Sequence, residues 1–402
     1  MDGATLPPHP EADAPPAQGG PRGAEPVGRA APPACALVLS GGVALGAFEA
    51  GAFAALAEAG GLVPDWLVGT SIGAVNAAII AGNPPERRVE RLRGFWDAMA
   101  GDPFPLASFW FGPPPASGAW RDVHNQAAAW QSLLLGRPGL FQSRLAPGAL
   151  AGKVPSLFDL QPLRARLPEW LDFDRLNGAG APRLTILATE LGTGERVVFD
   201  TARGDRIGPD HLLASCALLP LFSPVEVEGR LLADGGFAAN TALDLVLDAP
   251  LSGDLTCFAV ELFARHGSVP RTLPAALARA GDLAFGNQTQ RLLEGRGQAQ
   301  RWRALFGRLA AQLPPELRNR PEVAAILAEA GDAKRSATLL LLGYRAAMDE
   351  AGPGKFFDFS RATLADRWVA GSRGMRDALQ RLTSPAGGTA LAPGLLLHEV
   401  EA

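Results

Sequence analysis

The sequence predicts an α/β fold: a three-layer α/β/α sandwich with a mainly parallel central sheet, followed by a largely helical C-terminal extension. Two units of strand, glycine-rich turn and helix follow each other directly after residue 35. Alternating strand-like and helical segments then continue to about residue 261. Hydrophobic residues make up 47% of the 402 residues, which is enough to fill a sizeable core.

The first 34 residues differ from the rest of the chain. They are rich in Pro, Ala and Gly and lack the apolar run behind basic residues that forms a signal peptide. We therefore expect a disordered tail at 1–34 and an α/β core at 35–262. A mainly helical C-terminal region at 263–402 is expected to pack on that core.

Composition excludes several functional classes. The net charge of -4 and the lack of like-charge blocks argue against nucleic acid as a partner. The three cysteines are far apart, without zinc-type spacing, which predicts neither a structural metal nor a disulfide framework and favours a reducing compartment. No apolar stretch approaches the roughly 20 residues of a transmembrane helix, so we expect a cytoplasmic protein with peripheral membrane contact at most.

The first two units set the direction of the sheet. A strand at 36–40 precedes a helix at 46–58, and a strand at 65–68 precedes a helix at 74–81. Pro84 and Pro85 then open a helix that extends to Met99. Two consecutive units of this kind predict parallel strands.

Residues 102–155 interrupt the alternation. Their aromatic residues stand between Gly and Pro without a clear period, which predicts an insertion that forms a lid or a membrane-contacting surface. The alternative is ordinary core packing.

Regular elements return after the insertion. A hairpin around Gly229 leads into Asp234, and Thr256–Glu261 is predicted as the last inner strand. The remaining predicted segments are helices at 162–171, 209–218, 273–313, 322–330 and 361–382, and strands at 184–188, 197–199 and 338–342.

The segment Gly69-Thr70-Ser71-Ile72-Gly73 matches the pattern G-x-S-x-G between a predicted strand and a predicted helix. In this pattern the serine sits on a strained turn that projects its hydroxyl, and the flanking glycines relieve crowding. Ser71 is therefore the candidate nucleophile, with Gly69 and Gly73 forming the elbow. The alternative is a serine that only caps a helix.

A serine nucleophile needs a base. Of the five histidines, His211 lies in a predicted apolar helix and His266 follows a strand. A carboxylate can serve instead where burial raises its pKa. Asp234 is the best placed acid, since it ends an apolar strand and precedes Gly235 and Gly236, where backbones can approach closely. The alternative is an aspartate that caps an ordinary turn.

The glycine-rich turn Ser40–Gly46 lies between the first strand and the first helix. Its backbone N–H groups are candidates for holding an oxyanion. Phosphate is a weaker candidate ligand, because the turn lacks both G-x-G-x-x-G and the P-loop lysine.

In this order, the turn at 41–46, the segment Gly69–Gly73 and the Asp-Gly-Gly at 234–236 resemble the patatin-like phospholipase family. The resemblance covers most of residues 35–382. Over this length the chain is similar to bacterial members of the family that have an extra C-terminal region. The resemblance includes Gly82-Asn83-Pro84, Leu157–Asp159, Thr189–Glu195 and Phe357–Trp368.

The resemblance implies a patatin-like hydrolase core at 35–262. Ser71 would attack a carboxylic ester of a phospholipid or related lipid, and Asp234 would accept its proton directly as a Ser-Asp dyad. The N–H groups of Gly41, Gly42 and Val43 would form the oxyanion hole. No cofactor and no metal are implied, and the partner would be lipid at a membrane or micelle surface.

The chain departs from the common G-G-G-x-R-G form of that family. Val43 replaces the third glycine, and Leu45 stands where a basic residue is common. Val43 should matter little if its φ is negative, since the donors belong to the backbone. Two alternatives stay open: a carboxylesterase with a Ser71, Asp234 and His266 triad, and a non-catalytic lipid-binding protein of the same fold.

Overall fold

The computed structural model describes residues 35–144, 156–249, 253–267, 269–271, 273–330, 336–345, 352–383, 388–392 and 394–402. The predicted tail at 1–34 and the end of the predicted insertion at 145–155 lie outside these residues. The strands are β1 (Cys35–Leu39), β2 (Trp66–Thr70), β3 (Gly136–Arg137), β4 (Phe141–Ser143), β5 (Phe158–Asp159), β6 (Arg183–Glu190), β7 (Arg196–Asp200), β8 (Val225–Val227), β9 (Arg230–Asp234), β10 (Leu255–Glu261), β11 (Ala337–Gly343), β12 (Thr389–Ala392) and β13 (Leu395–Glu401).

Helices fill most of the connections between these strands. They are α1 (Gly46–Ala59), α2 (Ile72–Ala81), α3 (Arg88–Met99), α4 (Pro105–Phe111), α5 (Ala119–Leu135), α6 (Gln161–Trp170), α7 (Phe173–Leu176), α8 (Pro209–Ser215), α9 (Gly236–Ala239), α10 (Leu243–Leu247), α11 (Leu273–Ala311), α12 (Pro315–Arg318), α13 (Pro321–Ala330) and α14 (Arg361–Thr383). Short 3-10 helices cover Val43–Leu45, Pro85–Arg87, Thr201–Arg203 and Gly352–Phe357.

The central sheet has the strand order β12-β13-β11-β10-β1-β2-β6-β9-β8, and β7 also pairs with β6. The run from β13 to β6 is parallel throughout. The other pairings in this sheet, including the predicted hairpin of β8 and β9, are antiparallel. A separate small sheet joins β3, β4 and β5.

Alternate residues of β1 point to opposite faces of the sheet. Cys35, Leu37 and Leu39 join a hydrophobic cluster with α1, α2, α3 and α14. Ala36 and Val38 join a second cluster with α10 and Leu293 of α11. Helices therefore cover both faces, which confirms the predicted sandwich with its mainly parallel sheet and helical C-terminal region.

The prediction that Thr256–Glu261 is the last inner strand is wrong. β10 pairs on its outer side with β11, which in turn pairs with β13, so the sheet continues beyond residue 262. β11 was predicted as a strand, but β13 was not. The strand β13 is short, and the polar residues His398 and Glu399 lie in the middle of it. Its partner β11 lies more than fifty residues earlier in the chain.

The region 102–144 is more regular than the sequence indicates, since it holds α4, α5 and two strands of the small sheet. The helix α5 was not predicted, and it exposes large apolar side chains such as Trp130 and Leu134 while it buries Arg121, His124 and Asn125. Among the described residues, no helix is both long and apolar enough to cross a membrane.

Candidate active site

The turn after β1 carries the candidate oxyanion donors. Gly42 is extended at φ 170°, and Val43 is left-handed at φ 52°, so the negative φ on which the sequence argument depended is not found. The Gly41 N–H already donates to Asn240 Oδ1 at 3.2 Å. Among the described residues, no acceptor bonds the N–H groups of Gly42 or Val43, which leaves these two as the available donors.

Ser71 occupies the strained turn between β2 and α2, with φ 55° and ψ -125°. Both elbow glycines are required by close backbone contacts. A Cβ at Gly69 would lie 2.5 Å from Ala74 Cα, and a Cβ at Gly73 would lie 2.4 Å from the Leu39 carbonyl oxygen. The Ser71 N–H is fixed by Ser215 Oγ at 2.9 Å, which is a contact that sequence reasoning missed.

Asp234 is the last residue of β9, where it pairs with Ala188 of β6. Its Oδ1 accepts a hydrogen bond from the Gly236 N–H at 2.7 Å. Its Oδ2 is buried and has no partner among the described residues within ordinary hydrogen-bond geometry. Burial raises the pKa of Asp234 to about 7, and the nearby Ser71 hydroxyl and Gly236 N–H lower it by less. Such a carboxyl can exchange a proton near neutral pH.

The Asp-Gly-Gly segment is packed tightly against its surroundings. A Cβ at Gly235 would lie 2.5 Å from the Leu187 carbonyl oxygen, so only glycine fits there. The Gly236 carbonyl accepts a hydrogen bond from Gln288 Nε2 at 3.2 Å, and Gln288 Oε1 accepts the Asn240 N–H at 2.8 Å. Through Gln288, the helix α11 holds the segment that carries Asp234.

One cleft joins these elements. Ser71, Asp234 and the turn at 41–43 line it together with leucine and phenylalanine side chains, in about 490 Å³ of space that includes the open mouth. The part of it that is open to the centre of a water-sized sphere is about 80 Å³, which is less than the roughly 300–1,000 Å³ of typical ligand sites. The dominant character of the cleft is apolar.

The histidines considered as alternative bases lie elsewhere. Among the described residues that line the cleft there is no histidine. His266 is exposed, and His211 accepts the Gly208 N–H at 3.1 Å and packs edge-on against Phe199. Burial lowers the pKa of His211. Neither residue has the position of a third triad member.

Cys216 is a second potential nucleophile near Ser71, but its surroundings keep the thiol protonated. Burial, and then the Asp234 carboxylate, raise its pKa. A thiol with a raised pKa is unreactive, because the thiolate is the nucleophilic form.

The C-terminal region supports the turn from outside. Arg367 of α14 is buried and donates from Nη1 to the Ala44 carbonyl at 3.0 Å and to the Asp358 carbonyl at 3.2 Å. Its Nη2 donates to the Lys355 carbonyl at 2.8 Å. This guanidinium therefore links the residue after Val43 to the 3-10 helix that lines the cleft.

In the described part of the chain, no group of His, Cys, Asp and Glu side chains converges to hold a metal ion.

Comparison with known proteins gives two family matches. The family model described as patatin-like phospholipase matches residues 37–247, which is more than half of the chain. A second model, described as patatin phospholipase (DUF3734), matches residues 283–386. No curated protein matches the chain.

Two solved structures are similar at low identity. VipD from Legionella pneumophila shares 14% identity with a TM-score of 0.37, over 86% of this chain and 66% of VipD, so the chain spans just under two thirds of its length. The ExoU-SpcU complex from the type III secretion system of Pseudomonas aeruginosa shares 18% identity with a TM-score of 0.26, over 87% of this chain and 77% of the other. On the extent of the first family match, this chain belongs to the patatin-like phospholipase family, a family of lipid hydrolases.

Proposed function

We propose that the protein is a serine lipid acyl hydrolase that cleaves carboxylic esters of phospholipids or related lipids with a Ser71-Asp234 dyad. One observation carries the proposal: a serine on a strained turn and a buried carboxyl with a pKa of about 7 line the same apolar cleft. The strained turn projects the hydroxyl, and the pKa suits proton transfer near neutral pH.

The chemistry follows from these positions. Ser71 Oγ attacks the ester carbonyl carbon as its proton passes to Asp234, and the N–H groups of Gly42 and Val43 stabilise the oxyanion. The C–O bond to the leaving alcohol breaks, and the alcohol takes the proton from Asp234. Water then attacks the acyl-serine as one of its protons passes to Asp234. The acyl–Oγ bond breaks as Asp234 returns that proton to Ser71 Oγ, which releases the fatty acid and restores both residues.

The test is fatty-acid release from mixed phospholipid vesicles without added calcium. We expect Ser71→Ala and Asp234→Asn to lose activity and His266→Ala to keep it. Loss of activity in His266→Ala would support the triad instead. If the intact protein releases no more fatty acid than Ser71→Ala, the hydrolase proposal is wrong, and lipid binding without turnover becomes the better explanation.

We further propose that α4 and α5 contact the lipid surface. In α4, Phe109, Trp110 and Phe111 are 78%, 74% and 88% exposed. No charged residue occurs in the segment 103–120. Aromatic side chains without nearby charge favour the boundary between water and lipid.

The reversed faces of α5 support the same surface. Its outward side chains include Trp120, Trp130 and Leu134, all exposed. Its buried face carries Arg121, which donates to Thr363 Oγ1 at 3.1 Å and to Asp366 Oδ2 at 2.7 Å, and His124 beside Asp102. An apolar outer face is unfavourable in water, so a partner that covers it stabilises the protein.

Cosedimentation with vesicles tests this surface. Trp110→Ser combined with Trp130→Ser should reduce vesicle binding and vesicle hydrolysis while leaving hydrolysis of a water-soluble short-chain ester unchanged. Ile326→Ser in α13 removes an equally exposed apolar side chain elsewhere and serves as the control. Equal vesicle binding by the double variant and the control would contradict the proposal.

A further inference from the structure

A second cleft lies at the other end of α2 from Ser71, about 15 Å away along the helix. It is bounded by Gly82–Pro84, which follows α2, and by 168–173, which spans the end of α6 and the start of α7. The space open to the centre of a water-sized sphere is about 490 Å³, compared with about 80 Å³ beside Ser71. This volume falls within the roughly 300–1,000 Å³ of typical ligand sites.

Hydrogen bonds fix the two sides of this second cleft against each other. Asn83 Nδ2 donates to the Trp170 carbonyl at 2.7 Å, and the Asp172 N–H donates to the Gly82 carbonyl at 3.1 Å. The sides also pack closely, since a Cβ added at Gly82 would lie 2.9 Å from Leu171 Cβ. The fold therefore holds the cleft open in a fixed shape.

Arginine side chains give the second cleft a positive charge. Arg87, Arg91 and Arg175 line it, and Arg88 is buried nearby. Burial lowers the pKa of Arg88, the charge of Arg175 lowers it further, and Glu86 opposes the shift by less. Among the described residues, no carboxylate forms an ion pair with Arg88, Arg91 or Arg175. These guanidinium groups therefore lack a counter-charge.

The carboxylates at the second cleft are engaged elsewhere. Glu169 Oε2 accepts hydrogen bonds from the Arg166 guanidinium at 2.9 Å and 3.0 Å. Asp172 Oδ1 accepts two backbone N–H groups at the start of α7, at 2.8 Å and 3.1 Å. Arg87 lies 3.6 Å from Glu90 in an exposed pair. Two arginines of the cleft therefore keep their charge and most of their N–H donors for a ligand.

We propose that this second cleft binds a phosphate group between Arg91 and Arg175. The planar guanidinium matches phosphate oxygens and can form two parallel hydrogen bonds with them. The phosphate belongs either to a soluble phosphate monoester or to a lipid headgroup, and both present the same oxygens to the arginines. The inference is independent of the proposed hydrolase function, because none of the described residues lines both clefts.

Calorimetric titration of the full chain with inorganic phosphate and with glycerol 3-phosphate measures binding of soluble phosphate. We expect Arg91→Gln and Arg175→Gln each to weaken binding about tenfold or more, since each removes a charge-assisted contact. Arg93→Gln is the matched control, because it removes the same charge from α3, where Arg93 lies over the Trp368 ring and outside the cleft. Equal weakening in all three variants would show an effect of net charge alone and would overturn the inference.

Vesicles distinguish the two sources of phosphate. Cosedimentation compares phosphatidylcholine vesicles with vesicles that also contain phosphatidic acid. Binding of soluble glycerol 3-phosphate identifies a free ester as the ligand. Binding that depends on phosphatidic acid and falls in Arg91→Gln and Arg175→Gln, without binding of the soluble probes, identifies a lipid headgroup. Binding of neither contradicts the site. Arg175 is exposed, so Arg175→Gln should fold normally and provides the test if Arg91→Gln does not fold.

Discussion

Asn240 holds Gly41 with both atoms of its side-chain amide: the Gly41 N–H donates to Oδ1 at 3.2 Å, and Nδ2 donates to the Gly41 carbonyl oxygen at 3.3 Å. These bonds join the turn that carries the oxyanion donors to the segment that follows Asp234, across 199 residues of sequence. Two of the elements that form the site are therefore tied together by one side chain.

Loss of that amide should damage catalysis more than substrate binding. We expect Asn240→Ala to lower kcat about tenfold with little change in KM, since the turn at 41–43 is then less well positioned. Steady-state kinetics on a short-chain ester measure both. Asn83→Ala, which removes buried hydrogen bonds to the Ile79 and Trp170 carbonyls, is the control and should lower stability while keeping kcat.

The pH dependence of activity should follow Asp234. Only the ionised carboxylate accepts the Ser71 proton, and burial raises the pKa of Asp234 to about 7. We expect kcat/KM to rise with pH and to level off above about pH 7. A pH-rate profile measures this. Glu261 is the control, because burial also raises its pKa to about 7 but it does not line the cleft, so Glu261→Gln should leave the midpoint unchanged.

Asp234 should also make the folded state less stable at neutral and alkaline pH than at acid pH. Its pKa is raised from 3.8 to about 7 on folding, so between these values the folded chain binds a proton that the unfolded chain has released. The free energy of unfolding therefore falls as pH rises through this window, by at most about 1.4 kcal/mol per pH unit.

Asp234→Asn removes this dependence, because the amide does not ionise and still accepts the Gly236 N–H. We expect the variant to exceed the intact protein in stability by about 2–4 kcal/mol at pH 8 and by less at pH 5. Urea denaturation of both proteins at the two pH values measures the difference. An unchanged difference between pH 5 and pH 8 would argue against the raised pKa.

Val43 should carry conformational strain. A β-branched residue at φ 52° is rare, and left-handed backbone costs roughly 1–2 kcal/mol for residues other than glycine. We expect Val43→Gly to be more stable than Val43→Ala by about 1 kcal/mol and to remain active, since the donor is a backbone N–H. Thermal unfolding of the two variants tests this, because alanine keeps the Cβ that causes the strain. Equal stabilities would show that the strain is absent.

The sequence by itself determined the elements whose cause is local. The glycines at 69, 73 and 235 are needed because backbone atoms would lie about 2.5 Å or less from any Cβ there, and this need is visible as a pattern beside Ser71 and Asp234. The alternation of apolar strands and helices determined the parallel sheet in the same way. The sequence left the φ of Val43 open, and the turn gives this residue a positive φ of 52°.

Tertiary structure decided everything that depends on residues far apart in the chain. The contacts of Ser215 with Ser71, of Asn240 with Gly41, and of Arg367 with Ala44 leave no periodic trace in the sequence. β13 joins the sheet only because β11 offers an edge, and α5 carries its apolar face outward against the usual pattern. Local propensity and spacing predict where a side chain is presented, whereas the folded chain alone determines what lies opposite it.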